Sequence, residues 1–276
     1  MPSSFTSKIV RHRIRVFLTL LLLPTAAFAK DFSNDFAVVL IDQASEERFG
    51  SYPFDRSIIA QAVERSATAG AKGVVLKFIF DQPRSPSGDA ALAKALSRLP
   101  VALQARIDDT EKAPNPLPER FSLADRAVKS GVVGSSGWIP IGQFSGPAAD
   151  VGFVDFASSP IPLIETYQNR PVKSLVLCAV ELALGTKAVI RSSQAILFDK
   201  SEIRVDALNR ISVQVAPDRS ISTLPFNDLF DGKLDPATLR NKVVIIGYDG
   251  TNTPRIGGVG IHRLFVQYLR AFYEAI

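Results

Sequence analysis

Two continuous apolar segments separated by a helical pattern restrict the fold of this chain more than any other feature of its sequence. Residues 36–41 (FAVVLI) and 73–80 (GVVLKFIF) have the length and composition of buried strands. Between them, apolar residues recur at helical spacing from Asp55, a candidate N-cap, to Gly70, a candidate C-terminal stop. An apolar strand, a helix and a second apolar strand indicate parallel strands with helices on both faces.

The same alternation continues toward the C-terminus. It predicts helices over residues 89–99 and 174–184, strands over 101–107 and 243–246, and an amphipathic helix over 261–276. Short helical turns are expected over residues 224–239, and short strand candidates lie at 131–137, 151–156, 195–198, 202–205 and 211–215. We therefore expect a single α/β domain over residues 30–276, with a mainly parallel central sheet, helices on both faces and smaller strands inserted in the middle.

The first 29 residues have the pattern of an export signal. A basic stretch precedes an apolar run over residues 16–23, and Ala27-Phe28-Ala29 forms an A-x-A cleavage site before Lys30. The apolar part, residues 14–29, contains 16 residues and a proline, whereas a membrane-spanning helix needs roughly 20 apolar residues. The sequence therefore predicts a cleaved signal peptide over residues 1–29 and a periplasmic mature protein. An uncleaved membrane anchor is the alternative.

The charge and cysteine content limit the classes of partner and of covalent stabilisation. The whole chain has 32 basic and 27 acidic residues, and four of the basic ones lie in residues 1–29, so the mature chain carries 28 − 27 = +1. This balance gives no support for a nucleic-acid partner. Cys178 is the only cysteine, so no intrachain disulfide can form, and its apolar helical surroundings indicate a buried small hydrophobic residue.

Candidate ligand-binding residues follow from the edge of the predicted sheet. Asp42 and Gly247 come directly after apolar strands, and ligands of open parallel sheets collect at the carboxyl ends of the strands. Lys77 is expected near Asp42, where the two form either a polar ligand cradle or, as we favour, a salt bridge between partly buried charges. Arg56 begins the first long helix and either recognises an anion there or pairs with Asp42 or Asp55. The full candidate set is Asp42, Arg56, Lys77, Asp249, Thr253 and His262.

The residue types argue against a metal, a cofactor and catalysis. After the signal is excluded, His262 is the only histidine, and Lys77 would repel a cation from a carboxylate site at Asp42, Asp81 and Asp249. Neither a dinucleotide fingerprint nor a P-loop follows the first strand, and no Gly-x-Ser-x-Gly motif occurs. We therefore expect His262 to orient the 247–260 loop, and favour this over a role as a catalytic base.

The order of several short motifs resembles one family. Asp42, residues 50–56 (GSYPFDR), 241–247 (NKVVIIG) and 258–262 (GVGIH) fall in an order similar to that of the second type of CHASE domain, and the resemblance covers nearly all of the mature chain. It implies an extracellular α/β sensory domain of the kind associated with cyclases and histidine kinases. In typical members the last helix leads into transmembrane segments and a cytoplasmic output domain. Lys77 stands where members usually carry an aspartate.

Together these observations predict a non-catalytic sensory or ligand-binding module. Because the sequence ends at Ile276, we expect no output domain in this chain and an action in trans on a membrane signalling protein. The apolar stripe of the C-terminal helix is a candidate docking face for that partner, although core packing is its default role. The small ligand is unknown. A structural interaction scaffold without a small ligand is the alternative, followed by an unrecognised hydrolase.

Overall fold

The computed structural model describes residues 30–108, 114–125, 127–191, 195–198, 201–215 and 221–276. The predicted signal peptide of residues 1–29 lies outside the described residues and stays a prediction. No helix within the described ranges is both long enough and apolar enough to cross a membrane.

The described secondary structure alternates strands and helices along the chain. The helices are α1 Phe32–Asp35, α2 Gln43–Phe49, α3 Arg56–Thr68, α4 Pro86–Ala95, α5 Gly142–Ser145, α6 Leu175–Leu184, α7 Phe226–Asp231 and α8 Ile261–Glu274. The strands of the central sheet are β1 Phe36–Ile41, β2 Gly73–Leu76, β3 Val101–Ile107, β5 Gly137–Trp138, β6 Asp150–Phe153, β14 Leu224–Pro225 and β15 Val243–Tyr248. The smaller sheets contain β4 Val133–Gly134, β7 Ile161–Pro162, β8 Ile164–Tyr167, β9 Arg170–Lys173, β10 Val189–Arg191, β11 Ala195–Phe198, β12 Ser201–Arg204, β13 Arg210–Ile211, β16 Arg255–Ile256 and β17 Val259–Gly260.

The central sheet has the strand order β14-β1-β15-β2-β3, with β6 parallel to β3 and β5 antiparallel to the end of β3. The last long strand of the chain, β15, lies between β1 and β2: Val243 pairs with Phe36 on one side and with Gly73 on the other. All pairs except β3 with β5 are parallel. The carboxyl ends of β1, β15, β2, β3 and β6 therefore share one edge, and the predicted mainly parallel sheet is confirmed.

Two hydrophobic cores lie on opposite faces of this sheet, because successive strand residues point to opposite sides. Val39 and Ile41 belong to the core formed with α3, α4 and α7. Val38 and Leu40 belong to the core formed with α6 and α8. Cys178 of α6 is 1% exposed in this second core, and burial raises the pKa of its thiol well above the usual value. Its predicted role as a buried apolar residue is confirmed.

The strand predicted over residues 73–80 is wrong in its second half. β2 ends at Leu76. Lys77 N still donates to Ile246 O at 3.0 Å, and the chain leaves the sheet after this residue. Phe78 and Phe80 are buried in an aromatic cluster instead, with Phe80 lying 5.6 Å from Phe144 between ring centroids. Packing between aromatic rings thus replaces further strand pairing. An apolar sequence is compatible with either arrangement, so the sequence does not distinguish them.

We expect Gly152→Ala to destabilise the fold, because β6 and α6 approach each other closely there. A Cβ at Gly152 would lie 2.4 Å from Leu175 Cα and 2.7 Å from Leu175 N, both of them backbone atoms. Overpacking of this kind costs about 1–3 kcal/mol of unfolding free energy. Gly142→Ala is the control, since a Cβ there has nothing within 4 Å. Urea denaturation measures both variants, and equal stabilities would contradict the close approach.

Candidate functional site

A cavity of about 620 Å³ lies at the carboxyl edge of the central sheet. Its volume is within the range of roughly 300–1,000 Å³ that small-molecule sites occupy. The walls come from the segment before α3, the residues that follow β2, the end of β3, β5, the loop after β6 and the first turns of α8. This is the edge at which the sequence predicts a ligand.

Lys77 is a buried basic residue of the cavity wall, with 5% of its surface exposed. Its Nζ donates to Gln104 Oε1 at 3.2 Å and lies 5.2 Å from the centre of the Phe265 ring. No carboxylate within the described residues forms an ion pair with it. Burial lowers the pKa of Lys77 to about 7, and the positive charge of Arg106 contributes to this shift.

His262 lies in the first turn of α8 and forms another part of the cavity wall. Its Nδ1 accepts a hydrogen bond from Tyr248 N at 3.0 Å, so the neutral ring carries its proton on Nε2. Burial, followed by the charge of Lys77, holds the pKa of His262 well below its usual value. A Cβ at Gly247 would lie 3.0 Å from His262 Nδ1, so the glycine gives the ring room against β15.

Arg56 also lines the cavity, but an internal carboxylate neutralises it. Its guanidinium forms an ion pair of 2.7 Å with Asp89 of α4, donates to Gln82 O, and lies 4.8 Å from the centre of the Phe144 ring. The pairing of Arg56 with Asp42 or Asp55 that the sequence suggested is therefore corrected to Asp89. Asp55 caps α3 instead, since its side chain accepts from Ser57 N.

The other end of the cavity contains a guanidinium and two neighbouring carboxyl groups. Arg106 Nε lies 3.6 Å from Asp155 Oδ1, and its guanidinium lies over the Trp138 ring. Asp155 also accepts from Ile107 N at 2.8 Å. Burial, together with the negative charge of Asp155, raises the pKa of fully buried Glu165 well above its usual value. Burial also raises the pKa of Asp155, so the two neighbouring carboxyl groups disfavour two negative charges at once.

Asp42 is distant from Lys77 in the fold. Asp42 caps α2, where its carboxylate accepts from Ser45 N at 2.9 Å and from Ser45 Oγ at 2.7 Å. β15 separates β1 from β2, so the two residues follow strands that are two spacings apart, about 9–10 Å. The expected salt bridge between Asp42 and Lys77 is therefore wrong. The strand order that separates them could not be read from the local sequence.

Asp249 and Thr253 belong to the loop after β15 and do not line the cavity. Asp249 forms an ion pair with Arg263 of α8. Thr253 is buried, and its hydroxyl has no hydrogen-bond partner among the described residues. Of the six candidate residues, the structure thus places Arg56, Lys77 and His262 around one cavity and the other three elsewhere.

An unpredicted residue, Glu46 of α2, holds the loop after β15. It accepts from Thr251 N at 2.8 Å, from Thr251 Oγ1 at 2.9 Å and from the Tyr248 hydroxyl at 2.7 Å. The Tyr248 ring in turn stacks on Tyr52 at 4.3 Å between centroids, and Tyr52 lines the cavity. The loop therefore supports the cavity wall from behind.

Sequence reasoning missed several residues that line the cavity: Gln104, Arg106, Trp138, Asp155 and Phe265. Gln104 was detectable, because it is an amide within the otherwise apolar start of a predicted strand. Trp138 had no such signal, since only the antiparallel pairing of β5 with β3 brings it to this edge. Within the described ranges, no group of three His, Cys, Asp or Glu residues could hold a metal ion.

Comparison with protein-family models identifies the family of the chain. The family model of the CHASE2 domain matches residues 9–269. The chain belongs to the CHASE2 domain family. CHASE2 domains are extracellular sensory domains rather than catalytic ones, and the resemblance inferred from the motif order is confirmed. Neither a curated protein nor a solved structure matches the chain.

The lowered pKa of Lys77 predicts a specific dependence of stability on pH. The folded-state pKa is about 7 and the ordinary value is 10.5, so between these values the unfolded chain binds the proton that the folded chain lacks. The free energy of unfolding therefore rises with pH in this window by up to about 1.4 kcal/mol per pH unit. Lys77→Met removes this increment, so the variant gains less stability than the parent between pH 7 and 9.5.

The exposed lysine Lys94 provides the matched control. Because its ammonium group remains in water in both states, Lys94→Met is expected to keep the parent dependence on pH. Denaturant titrations at several pH values measure the three proteins. Parallel curves for the parent and Lys77→Met would contradict a charge penalty at Lys77.

Proposed function

We propose that this CHASE2 domain is a non-catalytic extracytoplasmic sensory module that binds a small molecule in the cavity at the sheet edge. It then acts, through α8, on a membrane signalling protein in trans. One observation carries the proposal. The cavity lies at the carboxyl ends of the central strands, and the first turns of α8 form part of its wall through Ile261, His262, Leu264 and Phe265. A bound molecule would therefore contact the helix that is the candidate output element.

We favour a small ligand over a scaffold without one, because the cavity and its buried lysine reduce the stability of the fold. Lys77 is buried beside Phe265 without a carboxylate partner in the described part of the chain, and desolvation of an ammonium group destabilises a fold. A cavity of this size also forgoes packing contacts. A scaffold could replace Lys77 with an apolar residue and gain stability, whereas a binding site needs both the space and the polar group.

A binding role is favoured over hydrolysis by the chemistry of the wall. The residues that line the cavity include no serine, threonine or cysteine to act as a nucleophile. His262 Nδ1 is occupied by Tyr248 N, and burial keeps the ring neutral. A hydrolase of the usual kind requires a nucleophile, a base and a group that orients the base.

The contacts of α8 support its role as the relay. Phe265 and Leu269 are buried in the core against α6. The hydroxyl of Tyr273, the penultimate residue of α8, donates to Asp35 at 2.7 Å. The helix therefore connects the cavity to the start of the described chain. A ligand shifts this helix only to the extent that it binds one arrangement of the cavity better than another.

The single tryptophan of the chain, Trp138, provides a direct test of occupancy because it lines the cavity. Native mass spectrometry of the protein purified from its own periplasm is expected to detect a bound small molecule. After its removal, titration of that molecule back into the protein should change the tryptophan fluorescence saturably. Trp138→Phe removes the fluorescence signal while thermal stabilisation by the same molecule persists.

Two further measurements address the relay and the partner. Hydrogen exchange should show ligand-dependent protection in α8, and crosslinking from a position near residue 276 should recover one membrane signalling protein in a ligand-dependent manner. Absence of any bound molecule and of any ligand-dependent change in α8 would refute the sensory proposal in favour of a scaffold.

A further inference from the structure

The charges around the cavity leave one buried cation without an anionic partner. Arg56 is neutralised by Asp89, and Arg106 faces Asp155. Arg84, the remaining cation of the wall, donates to Pro53 O at 3.4 Å in exposed surroundings. Among the described residues of the wall, Lys77 is therefore the one buried basic group that lacks a carboxylate partner. A ligand with one negative charge would neutralise it.

The polar groups beside Lys77 are donors. Gln104 Oε1 already accepts from Lys77 Nζ, which leaves the two amide N–H groups of Gln104. His262 accepts from Tyr248 N on Nδ1, which leaves Nε2–H. An ammonium group, an amide and an imidazole N–H together match the lone pairs of a carboxylate.

The rest of the wall is apolar, and seven of its fifteen residues are aromatic. Its rings include Tyr52, Phe54, Phe78, Phe80, Trp138, Phe156 and Phe265. Aromatic walls favour flat apolar ligands, which bind through burial and through stacked or edge-to-face contacts. A phosphate dianion fits poorly, because the second negative charge would face Asp155 and lack a second unpaired buried cation.

We propose that the ligand is an aromatic monocarboxylate, held at its carboxylate by Lys77, Gln104 and His262 with its ring among the aromatic side chains. This inference rests on the proposed ligand-binding function and specifies its chemical class. Binding also takes up a proton, because a carboxylate beside the amine stabilises its charged form. In this binding step, neutral Lys77, one proton from solvent and one carboxylate together form an ammonium–carboxylate pair.

The other ionisable groups around Lys77 are Arg106 on β3, His262 on α8, Asp155 after β6, Arg56 on α3, Arg84 after β2 and Tyr52 before α3. Burial raises the pKa of Asp155, and the other five groups do not supply that proton. The three arginines stay charged at all accessible pH values. Burial keeps Tyr52 protonated and His262 neutral near neutral pH. With the free amine at a pKa of about 7, binding at pH 8 takes up about 0.9 proton, and affinity falls about tenfold per pH unit above that.

Calorimetric titration of the full chain tests the inference. The probes are phenylacetate, 3-phenylpropionate and indole-3-acetate, each compared with its neutral amide, together with phenylphosphonate as the dianion. Titrations at pH 8 in two buffers of different ionisation enthalpy give the number of protons taken up. We expect at least one carboxylate to bind about 10- to 100-fold more tightly than its amide, since hydrogen bonds to a charged group are lost, and with proton uptake.

Lys77→Met is expected to abolish both the preference for the carboxylate and the proton uptake. The variant should fold, since it removes a buried charge at nearly constant volume. Lys94→Met, at an exposed position away from the cavity, is the matched control and should retain the proton uptake.

Equal binding of carboxylate and amide, preference for the phosphonate, or no binding of any probe at millimolar concentration would overturn the inference. Recovery of a neutral native ligand that changes Trp138 fluorescence would also overturn it, yet leave the sensory proposal intact. Absence of any native ligand, together with absence of any ligand-dependent change in α8, would instead remove both.

Discussion

The pairing of β15 between β1 and β2 is the constraint on which the rest of the structure depends. β15 forms parallel pairs with all six residues of β1 and with four residues of β2. This insertion aligns the carboxyl ends of the central strands and directs the following loop and α8 back across them. It also separates Asp42 from Lys77, so that one caps a helix and the other enters the cavity. The site is therefore a product of strand order rather than of a local motif.

Charge is distributed around the cavity in an unequal way. Two arginines of the wall have carboxylate partners, Asp89 and Asp155, and burial raises the pKa of Glu165 beside the second of them. In the part of the chain that the structure describes, the ammonium group of Lys77 contacts an amide and an aromatic ring but no carboxylate. Such an arrangement costs stability in the empty protein and gives a ligand of opposite charge a large differential interaction. A sensory domain benefits from that difference, since occupancy then changes the energy of the surrounding elements.

The sequence predicted the elements of this fold better than their arrangement. Apolar runs and helical spacing located β1, β3, β15, α3, α6 and α8, because burial on both faces leaves a strong local pattern. The end of β2 at Leu76 was missed, since Phe78 and Phe80 satisfy either a strand or an aromatic cluster. Three of the six candidate site residues line the cavity. Trp138 was missed because long-range pairing, which leaves no local trace, brings it to the edge. Arg106 lies at the end of a predicted strand and was detectable from the sequence.

The position of β15 has a further consequence for the time at which the fold becomes complete. Its residues pair with β1 across about 200 positions of sequence, so β1 and β2 have no common neighbour until the last part of the chain is available. Such long-range pairing slows folding, because the entropy of closing the loop is lost before the stabilising contacts form. The central sheet therefore cannot assemble progressively from the N-terminus. We expect it to close in a late step, and that step also completes the cavity and packs α8 against it.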